Sequence, residues 1–269
     1  MSVPFWRLIE SQQNPQFKIW NDLADGRGIK KHGLYILSGR KLVPEALALI
    51  SQQFLQEIRG FHAEIVALLV ADPREADGLP IPANVELYRL TRNLMDKLDT
   101  SGTNYPLLVG RVPEIEKADL SVGPQGLELI VALGDPNNLG ALMRSAAAFG
   151  AKKLILMDGA AHPFHPKTLR AAANAVYGLT LARGPSWEEL NQAAGPIVAL
   201  DSKGADLSSY KWPKDVRIVL GEEGMGIPET LNVTRLAIPT TGAVESLNAT
   251  VAASVALYAH YTSSNSSVD

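Results

Sequence analysis

The sequence predicts an α/β protein built from two domains. Its 269 residues are more than one small hydrophobic core usually organises. Hydrophobic residues make up 46% of the chain and charged residues 20%, a balance typical of globular proteins rather than disordered ones. After Gln125, short apolar runs alternate with helical patterns. This alternation predicts a mostly parallel sheet with helices on both faces in the C-terminal domain.

The N-terminal domain is expected to span residues 1–110 and to be the smaller of the two. Apolar spacing there predicts helices, the first of them interrupted, at 4–23, 43–56 and 91–98. Short apolar runs predict strands at 33–39, 64–70, 85–90 and 105–112. These patterns indicate a second, N-terminal α/β domain.

The C-terminal domain is expected to span residues 125–262, after a linker at 111–124. The linker contains Pro113, Gly123 and Pro124 and has no sustained periodicity. The predicted strands of the C-terminal domain are 127–133, 153–157, 197–200, 217–220 and a short piece at 236–239. The predicted helices are 139–149, 166–176, 187–194 and 248–260. Residues 263–269 form a polar tail with no reason to be ordered.

Composition excludes several classes of site. The chain has no cysteine, so disulfides, thiolate metal sites and a cysteine nucleophile are excluded. Its first residues lack the charged head and apolar run of a secretory signal, and no apolar stretch approaches the ~20 residues of a membrane span. No cluster of histidines and carboxylates argues for a metal. We therefore expect a cytoplasmic protein with no membrane partner and no metal.

The charge of the chain is uneven. The net charge is −3, but the segment between Gly26 and Leu42 carries no acidic residue and five basic ones: Arg27, Lys30, Lys31, Arg40 and Lys41. Such a patch can contact the phosphates of a nucleic acid even when the whole protein is acidic. A solvated face that is balanced by acids elsewhere explains the same pattern, and both interpretations stay open.

The first of three unusual loops follows the strand predicted at 127–133 and runs Gly134-Asp-Pro-Asn-Asn-Leu-Gly into a helix. This helix is apolar on every side except at Arg144 and Ser145, which predicts that it is buried. A buried arginine needs a partner, because burying a lone charge is costly. Arg144 then either forms an ion pair that holds the turn or presents its guanidinium to a phosphate or carboxylate.

The second loop runs Gly221-Glu-Glu-Gly-Met-Gly directly after a predicted strand. Its glycines allow the backbone to approach a ligand or another chain segment closely. The loop matches neither the dinucleotide fingerprint G-x-G-x-x-G nor a phosphate-binding P-loop. Its two acids would repel a pyrophosphate, so a cationic or zwitterionic ligand fits better. An ordinary tight turn is the alternative.

The third loop starts at Ile238-Pro-Thr-Thr-Gly and ends at Ser246-Leu-Asn, where a helix is predicted to begin. A helix N-cap explains either Ser246 or Asn248. Capping does not require both residues, and it does not explain the long polar loop that precedes them.

Taken in this order, the three loops resemble the signature motifs of the SpoU/TrmH family, the RNA 2′-O-ribose methyltransferases of the SPOUT class. The matching pattern is Asp135-Pro-x-Asn-x-Gly up to Arg144, then Gly221-x-Glu-Gly-x-Gly, then Ile238-Pro up to Ser246-Leu-Asn. The resemblance covers the whole C-terminal domain. It extends weakly to Gly39-Arg-Lys-Leu-Val and Leu98-Asp-Thr-Ser-Gly-Thr, which resemble the substrate-binding domain of many ribosomal-RNA members.

This resemblance implies an activity, a cofactor and partners. The enzyme would transfer a methyl group from S-adenosylmethionine to a ribose 2′-hydroxyl of RNA, without a metal. A deep trefoil knot near the C-terminus would form the cofactor pocket, with Gly221, Ile238 and Leu247 against the cofactor. Family members are homodimers with the active site at the subunit interface, so a homodimer is expected here.

The resemblance also implies which residues act on the substrate: Asn138, Arg144, Glu223, Ser246 and Asn248. Arg144 would serve either as the base or as an electrostatic stabiliser, and we favour the second because a guanidinium stays protonated in proteins. A phosphate of the substrate would then take the proton. Asn138 and Glu223 would hold Arg144, while Ser246 and Asn248 would shape the pocket or bind the ribose.

The RNA target is less well defined. A separate N-terminal domain favours ribosomal RNA over tRNA, and the alternatives are a tRNA ribose methyltransferase or an RNA-binding homologue that has lost catalysis. A nucleotide-dependent oxidoreductase lacks its fingerprint here. Relatives often have a serine and a glycine where this chain has Ala172 and Asn174, and a small residue in place of Glu222. The nucleotide that is methylated therefore stays unassigned.

A few side chains permit a second interpretation. His162 and His165 lie three residues apart, as metal ligands can, but the prolines beside them and the lack of a third ligand favour a surface loop. Phe5, Trp6 and Tyr35 belong to the substrate-binding domain and could stack on RNA bases. For all three, packing is the favoured interpretation.

Overall fold

The computed structural model describes residues 5–56, 64–221 and 224–265. Two compact units are present. The first combines Met1–Glu114 with His162–Tyr177, and the second combines Ile115–Ala161 with Gly178–Asp269.

Strands and helices occur in both units. The strands are β1 (Arg7–Ile9), β2 (Leu34–Leu37), β3 (Glu64–Val70), β4 (Glu86–Leu90), β5 (Leu107–Arg111), β6 (Leu127–Val131), β7 (Lys153–Leu156), β8 (Thr180–Arg183), β9 (Ile197–Asp206), β10 (Val216–Leu220) and β11 (Thr234–Ala237). The α-helices are α1 (Pro15–Asp22), α2 (Gly26–His32), α3 (Leu42–Gln56), α4 (Arg92–Leu98), α5 (Pro136–Ala148), α6 (Pro166–Ala172), α7 (Trp187–Leu190) and α8 (Ala249–Asn265). Short 3₁₀ turns lie at Pro73–Ala76, Ala175–Gly178 and Leu207–Ser209.

The first unit contains a mixed sheet in the order β1-β4-β3-β5-β2. Strands β1 and β3 run parallel to β4, while β5 is antiparallel to both β3 and β2. Strands β3 and β5 consist mainly of leucine and valine, and most of their residues are buried. The N-terminal part of the chain is therefore an α/β unit.

The start of the chain differs from the prediction of one interrupted helix over 4–23. Arg7–Ile9 instead forms an edge strand beside β4, and a three-residue strand is too short to show an alternating pattern. Helix α1 begins only after Asn14, whose side chain accepts hydrogen bonds from the backbone N–H groups of Gln16 and Phe17. Helix α2 is missing from the prediction because Ile29 is its only apolar side chain, which leaves no helical stripe.

The segment 162–177 belongs to the first unit, whereas the sequence places it in the domain at 125–262. The ring of Phe164 packs 4.8 Å from that of Tyr35 on β2, and the hydroxyls of Tyr35 and Tyr177 are 3.1 Å apart. Tyr35 is fully buried, as the packing interpretation predicts, whereas Phe5 is 80% exposed and contradicts it. Gly110 leaves room for it, because a Cβ at this position would lie 2.3 Å from the Tyr35 ring.

The second unit contains a six-stranded sheet in the order β11-β9-β10-β6-β7-β8. Every pairing in it is parallel. All five residues of β6 and all five of β10 are buried, and successive side chains of a strand point to opposite faces. Both faces of the central strands are therefore covered, as expected of a parallel sheet between helices.

The sheet contains a buried ion pair that the sequence pattern does not reveal. Arg217 of β10 is 1% exposed and donates from Nε to Glu128 of β6 at 2.8 Å. Its two terminal nitrogens donate to the carbonyls of Ala194 and Val122, at 2.8 and 2.7 Å. Lys153 approaches the other oxygen of Glu128 at 3.4 Å. The guanidinium is thus bonded on all sides, which a buried charge requires.

The edges of the second unit also differ from the prediction. Residues of the predicted linker 111–124 bond to this unit: Ala118 donates its N–H to the carbonyl of Arg183 in β8, a strand absent from the prediction. Strand β9 continues beyond the predicted 197–200, and helix α8 reaches Asn265, into the predicted tail. Helix α6 ends at Ala172 rather than at 176, because Ala173 and Asn174 adopt left-handed backbone angles, with φ of 49° and 66°.

Candidate active site

The three unusual loops leave one edge of the second sheet. Strands β6, β10 and β11 belong to the same parallel sheet, so their carboxyl ends face the same way. The first loop follows β6, the second begins at Gly221 after β10, and the third begins at Ile238 after β11. In open α/β sheets this edge is where ligands bind.

The first loop turns into α5 through an N-cap. The carboxylate of Asp135 accepts hydrogen bonds from the backbone N–H groups of Asn137 and Asn138, at 2.9 and 2.8 Å. Pro136 occupies the first helical position, where its missing N–H has no helical partner to lose. Asp135, which opens the first motif but is not among the predicted site residues, therefore starts α5, and an Asp-Pro pair is a typical signal of a helix start.

Asn138 is held by the third loop. Asn248 Nδ2 donates to Asn138 Oδ1 at 3.3 Å, and Thr250 Oγ1 donates to the Asn138 carbonyl at 3.0 Å. Asn248 Oδ1 accepts from the backbone N–H groups of Thr250 and Val251, so Asn248 rather than Ser246 caps α8. One side chain therefore starts the last helix and also bonds the first motif.

Helices α5 and α8 are joined again one turn further along. Ser254 Oγ donates to Ser145 Oγ at 2.8 Å and lies 2.8 Å from the carbonyl of Thr250. Ser145 follows Arg144 directly, so this contact fixes the helix face next to the arginine. Ser145 and Ser254 are not among the residues named in the three motifs, and only the structure shows their contact.

Arg144 is exposed, and the prediction that α5 is buried on every side is wrong at this position. Leu142 and Met143 face the core, while Arg144, Ala147 and Ala148 lie on the outer side, where small side chains mask the amphipathic pattern. The side chain of Arg144 makes no hydrogen bond or ion pair with another residue in the described part of the chain. An ion pair that holds the turn is therefore not formed with any of these residues.

Asn138 does not hold Arg144 within this chain. The two residues are six positions apart on α5, so their side chains point about 120° away from each other and are about 9 Å apart along the helix axis. Glu223, the other expected holder of Arg144, lies outside the described residues.

Gly221, the first residue of the second loop, packs against Gly226, and this close approach, the Gly221 turn, leaves no room for a side chain at Gly221. A Cβ on Gly221 would lie 2.5 Å from the carbonyl carbon of Gly226 and 2.8 Å from a side-chain carbon of Ile227. Gly224 and Gly226 adopt φ of 91° and 70°, which side chains disfavour. The close backbone contact that the glycines predict is therefore made between Gly221 and Gly226, two residues of the same loop.

The third loop keeps apolar surface partly open. Ile238 and Leu247 are half-buried, while Ser246 is exposed and makes no hydrogen bond to the rest of the described chain. Ser246 and Leu247 directly precede Asn248, which places them beside Asn138. This edge of the sheet thus combines apolar contact area, amide groups and a free hydroxyl.

The two histidines considered as metal ligands have local partners. His162 Nδ1 accepts from the N–H of Phe164, and His165 Nδ1 caps α6 by accepting from the N–H of Lys167, both at 3.2 Å. Burial, reinforced by Lys30 and His165, lowers the pKa of His162 from 6.5 to about 4. The described residues contain no group of three or more histidines and carboxylates placed to hold a metal ion, and no helix among them is long and apolar enough to cross a membrane.

Comparison with known proteins identifies the second unit. Residues 128–258 match the model of the SpoU rRNA Methylase family. A relative named ribosomal RNA small subunit methyltransferase G 2, from Syntrophobacter fumaroxidans, is 38% identical over 255 residues. These cover 94% of this chain but 49% of the relative, so the chain spans about half the length of that protein.

A second relative matches along its whole length. The 23S rRNA (guanosine(2553)-2′-O)-methyltransferase RlmP of Bacillus subtilis is 29% identical over 260 residues, which cover 94% of this chain and 98% of the relative. Among solved structures, the SpoU methyltransferase AviRb from Streptomyces viridochromogenes, crystallised in complex with AdoMet, has a TM-score of 0.77. It is 24% identical and matches 94% of this chain and 99% of its own, which shows a shared fold. Through residues 128–258, the chain belongs to the SpoU family of rRNA methylases.

Proposed function

We propose that the protein transfers a methyl group from S-adenosylmethionine to a ribose 2′-hydroxyl of ribosomal RNA. The observation that carries this proposal is the bond between Asn138 and Asn248, which joins the first and third family motifs at the sheet edge where the Gly221 turn also lies. The relatives support RNA as the substrate, since both are named as rRNA methyltransferases. Their names refer to the RNA of different ribosomal subunits, so the subunit whose RNA would be methylated stays unassigned.

The residues at this edge fit S-adenosylmethionine as cofactor. Adenine and a methionine chain need apolar contact and main-chain groups, which Ile238, Leu247 and the backbone of the Gly221 turn would supply. When bound, the cofactor supplies a methyl group on a sulfonium. No pyrophosphate has to be accommodated, so the acidic character of the second loop is no obstacle.

The protein's own contribution is alignment and charge stabilisation. The exposed guanidinium of Arg144 can approach an RNA phosphate or a developing alkoxide. Because a guanidinium is a poor base, Arg144 would orient the hydroxyl and stabilise its charge rather than remove its proton. A phosphate of the substrate would take the proton. The free hydroxyl of Ser246 would bind the ribose, and Asn248 would keep Asn138 in place. Glu223 of the second family motif is a further candidate for holding Arg144.

A homodimer with the active site at the subunit interface is part of the proposal. Helix α8 presents an apolar stripe to solvent: Val251, Val255, Tyr258 and Tyr261 are 51%, 39%, 58% and 46% exposed. Phe149 at the end of α5 adjoins both tyrosines, with ring centres 5.9 Å apart in each case. Apolar patches of this kind mark protein interfaces. A second chain on this stripe would lie against α5, the helix that carries Arg144.

The knot, the domain roles and the location are also proposed. A trefoil knot formed by the loops after β10 and β11 and by α8 is expected from family membership. The N-terminal unit, predicted as residues 1–110, would bind the RNA substrate, and the enzyme would act in the cytoplasm.

Transfer of the tritiated methyl group of S-adenosylmethionine tests the proposal. Ribosomal RNA and tRNA from a strain that lacks the gene serve as substrates, and 2′-O-methyl sites are then mapped. We expect label in ribosomal RNA at a ribose position. Label in tRNA alone would show that tRNA, not ribosomal RNA, is the substrate. Label on a base would contradict ribose methylation. RNA binding without measurable cofactor affinity would identify an inactive homologue.

A further inference from the structure

The basic side chains of the first unit fall into two groups. Many form ion pairs with acids of the same unit: Arg7, Lys31, Lys41, Arg74, Arg92 and Arg111. Others are exposed and form no ion pair with any described residue: Lys18, Arg27, Lys30, Arg40, Arg89, Lys97, Lys167 and Arg170. The members of the second group are available to a partner.

Four of the available cations lie on two helices. On α2, Arg27 and Lys30 are three residues apart and share one face, while Gly28 and Ile29 are buried. On α6, Lys167 and Arg170 repeat the same spacing, opposite the buried Thr168 and Leu169. Each helix thus presents a pair of positive charges to solvent.

Tertiary structure brings the two helices together. The segment that leads into α6 begins against α2, where a Cβ on Gly26 would lie 3.5 Å from His162 Cβ. Lys30 lies close enough to His162 to help lower the pKa of the imidazole. Lys97 lies at the start of α6, since it lines a small cavity together with Pro166. We call Arg27, Lys30, Lys97, Lys167 and Arg170 the α2/α6 surface.

Acidic groups are fewer than basic ones at this surface. Residues 26–42 and 162–177 contain no acid at all. Asp25 caps α2 beside Arg27, and Asp96 precedes Lys97, so two acids adjoin the five cations. Asp22 is paired with Lys31 and His32. A protein with a net charge of −3 therefore keeps a local concentration of positive charge here.

We infer that the α2/α6 surface binds the phosphate backbone of the RNA substrate. This inference rests on the proposed function only because it takes RNA as the substrate. Part of the RNA contact would be made by α6, a helix that lies between the first and second methyltransferase motifs in the sequence. Paired lysines and arginines that outnumber the neighbouring carboxylates suit phosphates, which are bound through charge and without regard to base identity. A specific base pocket is not part of the inference.

Salt-dependent binding tests it. The triple variant Lys30→Gln/Lys167→Gln/Arg170→Gln is compared with the control Lys152→Gln/Lys211→Gln/Lys214→Gln, which removes the same charge from exposed positions of the second unit. Binding of a poly(U) 20-mer and of transcribed 23S rRNA is measured from 50 to 200 mM KCl. For the first variant we expect affinity to fall at least tenfold and the slope of log K against log salt to decrease by about 2. The control should stay within about threefold of the wild type.

A charge-retaining variant separates charge from folding. Lys30→Arg/Lys167→Arg/Arg170→Lys should keep the affinity and the salt slope of the wild type. The inference would be overturned if the glutamine variant and its control lost RNA affinity equally, or if the salt slope were unchanged in both. An acidic protein partner would then be the better candidate for this surface. Methyl transfer is measured separately. If the glutamine variant binds RNA more weakly but the wild-type protein methylates no RNA, only the proposed function is contradicted. If the glutamine variant is active and binds RNA as tightly as the wild type, only the inference is contradicted.

Discussion

Asn248 Nδ2 donates a hydrogen bond to Asn138 Oδ1 at 3.3 Å, although the two residues are 110 positions apart in sequence. The oxygen of the same amide, Asn248 Oδ1, accepts hydrogen bonds from two backbone N–H groups of α8. This side chain therefore couples the start of the last helix to the first turn of α5. Two motifs that are separate in the sequence become one polar cluster.

The two ends of the Asn248 amide can be tested apart. Asn248→Asp keeps the capping oxygen but loses the donor to Asn138, so we expect the unfolding free energy to stay within about 0.5 kcal/mol of wild type while methyl transfer falls about tenfold. Asn248→Ala should lose about 1 kcal/mol as well, because the cap is removed. Urea unfolding and turnover are measured side by side. Full activity in Asn248→Asp would show that the contact with Asn138 does not matter.

Arg144→Ala should lower turnover by roughly 10²–10³-fold, the usual loss when one positioned charge-stabilising donor is removed. Because Arg144 is exposed and lacks an ion pair with the described residues, stability and cofactor affinity should not change. Lys152→Ala provides an exposed control. Turnover, calorimetric cofactor binding and dimer mass are measured, and intact turnover with the other two unchanged would remove Arg144 from the mechanism.

Gly221→Ala should weaken the binding of S-adenosylmethionine about tenfold or more. The added methyl group would lie 2.5 Å from the backbone of Gly226, so the turn must move, and such overpacking costs about 1–3 kcal/mol. Gly123→Ala is the matched control, since a Cβ there has no neighbour within 4 Å. Isothermal titration with the cofactor gives the two affinities. Equal affinities would mean that this turn does not contact the cofactor.

Arg217→Met should destabilise the second unit by about 3 kcal/mol. The substitution leaves Glu128 buried with only the more distant Lys153 as an ionic partner. The double variant Arg217→Met/Glu128→Leu removes both charges and should recover at least half of the loss. Urea denaturation followed by circular dichroism measures both. A single variant as stable as the wild type would show that the pair contributes no net stability.

The first unit should lose stability between pH 6.5 and pH 4 because of His162. Its pKa is lowered from 6.5 to about 4 in the folded state, so the unfolded chain binds the proton first and unfolding becomes easier as the pH falls through this window. At pH 5 the loss should be about 2 kcal/mol. His162→Asn keeps an acceptor for the Phe164 N–H and should abolish the effect. Hydrogen exchange of β2 amides at pH 7.5 and pH 5 compares the two proteins, and identical pH dependence would contradict the assignment.

Local features of this protein were determined by the sequence alone. The helix after β6 was predicted from its apolar spacing, although it begins at Pro136 behind the Asp135 cap and not at 139 as predicted. The apolar runs of β6 and β10 specify buried parallel strands. The spacing of the three loops identified the family and its expected cofactor. These features depend on neighbours in sequence or on a periodic pattern, so they can be recognised without a structure.

Contacts between distant segments were decided only by the tertiary structure. The exposure of Arg144 depends on which side of α5 faces the core, and its alanine neighbours carry no signal about that. The burial of Arg217 depends on Glu128 in the adjacent strand. The α2/α6 surface exists because the segment 162–177 packs into the first unit, against the order of the chain. Packing and charge act through space, whereas periodicity records only the local backbone.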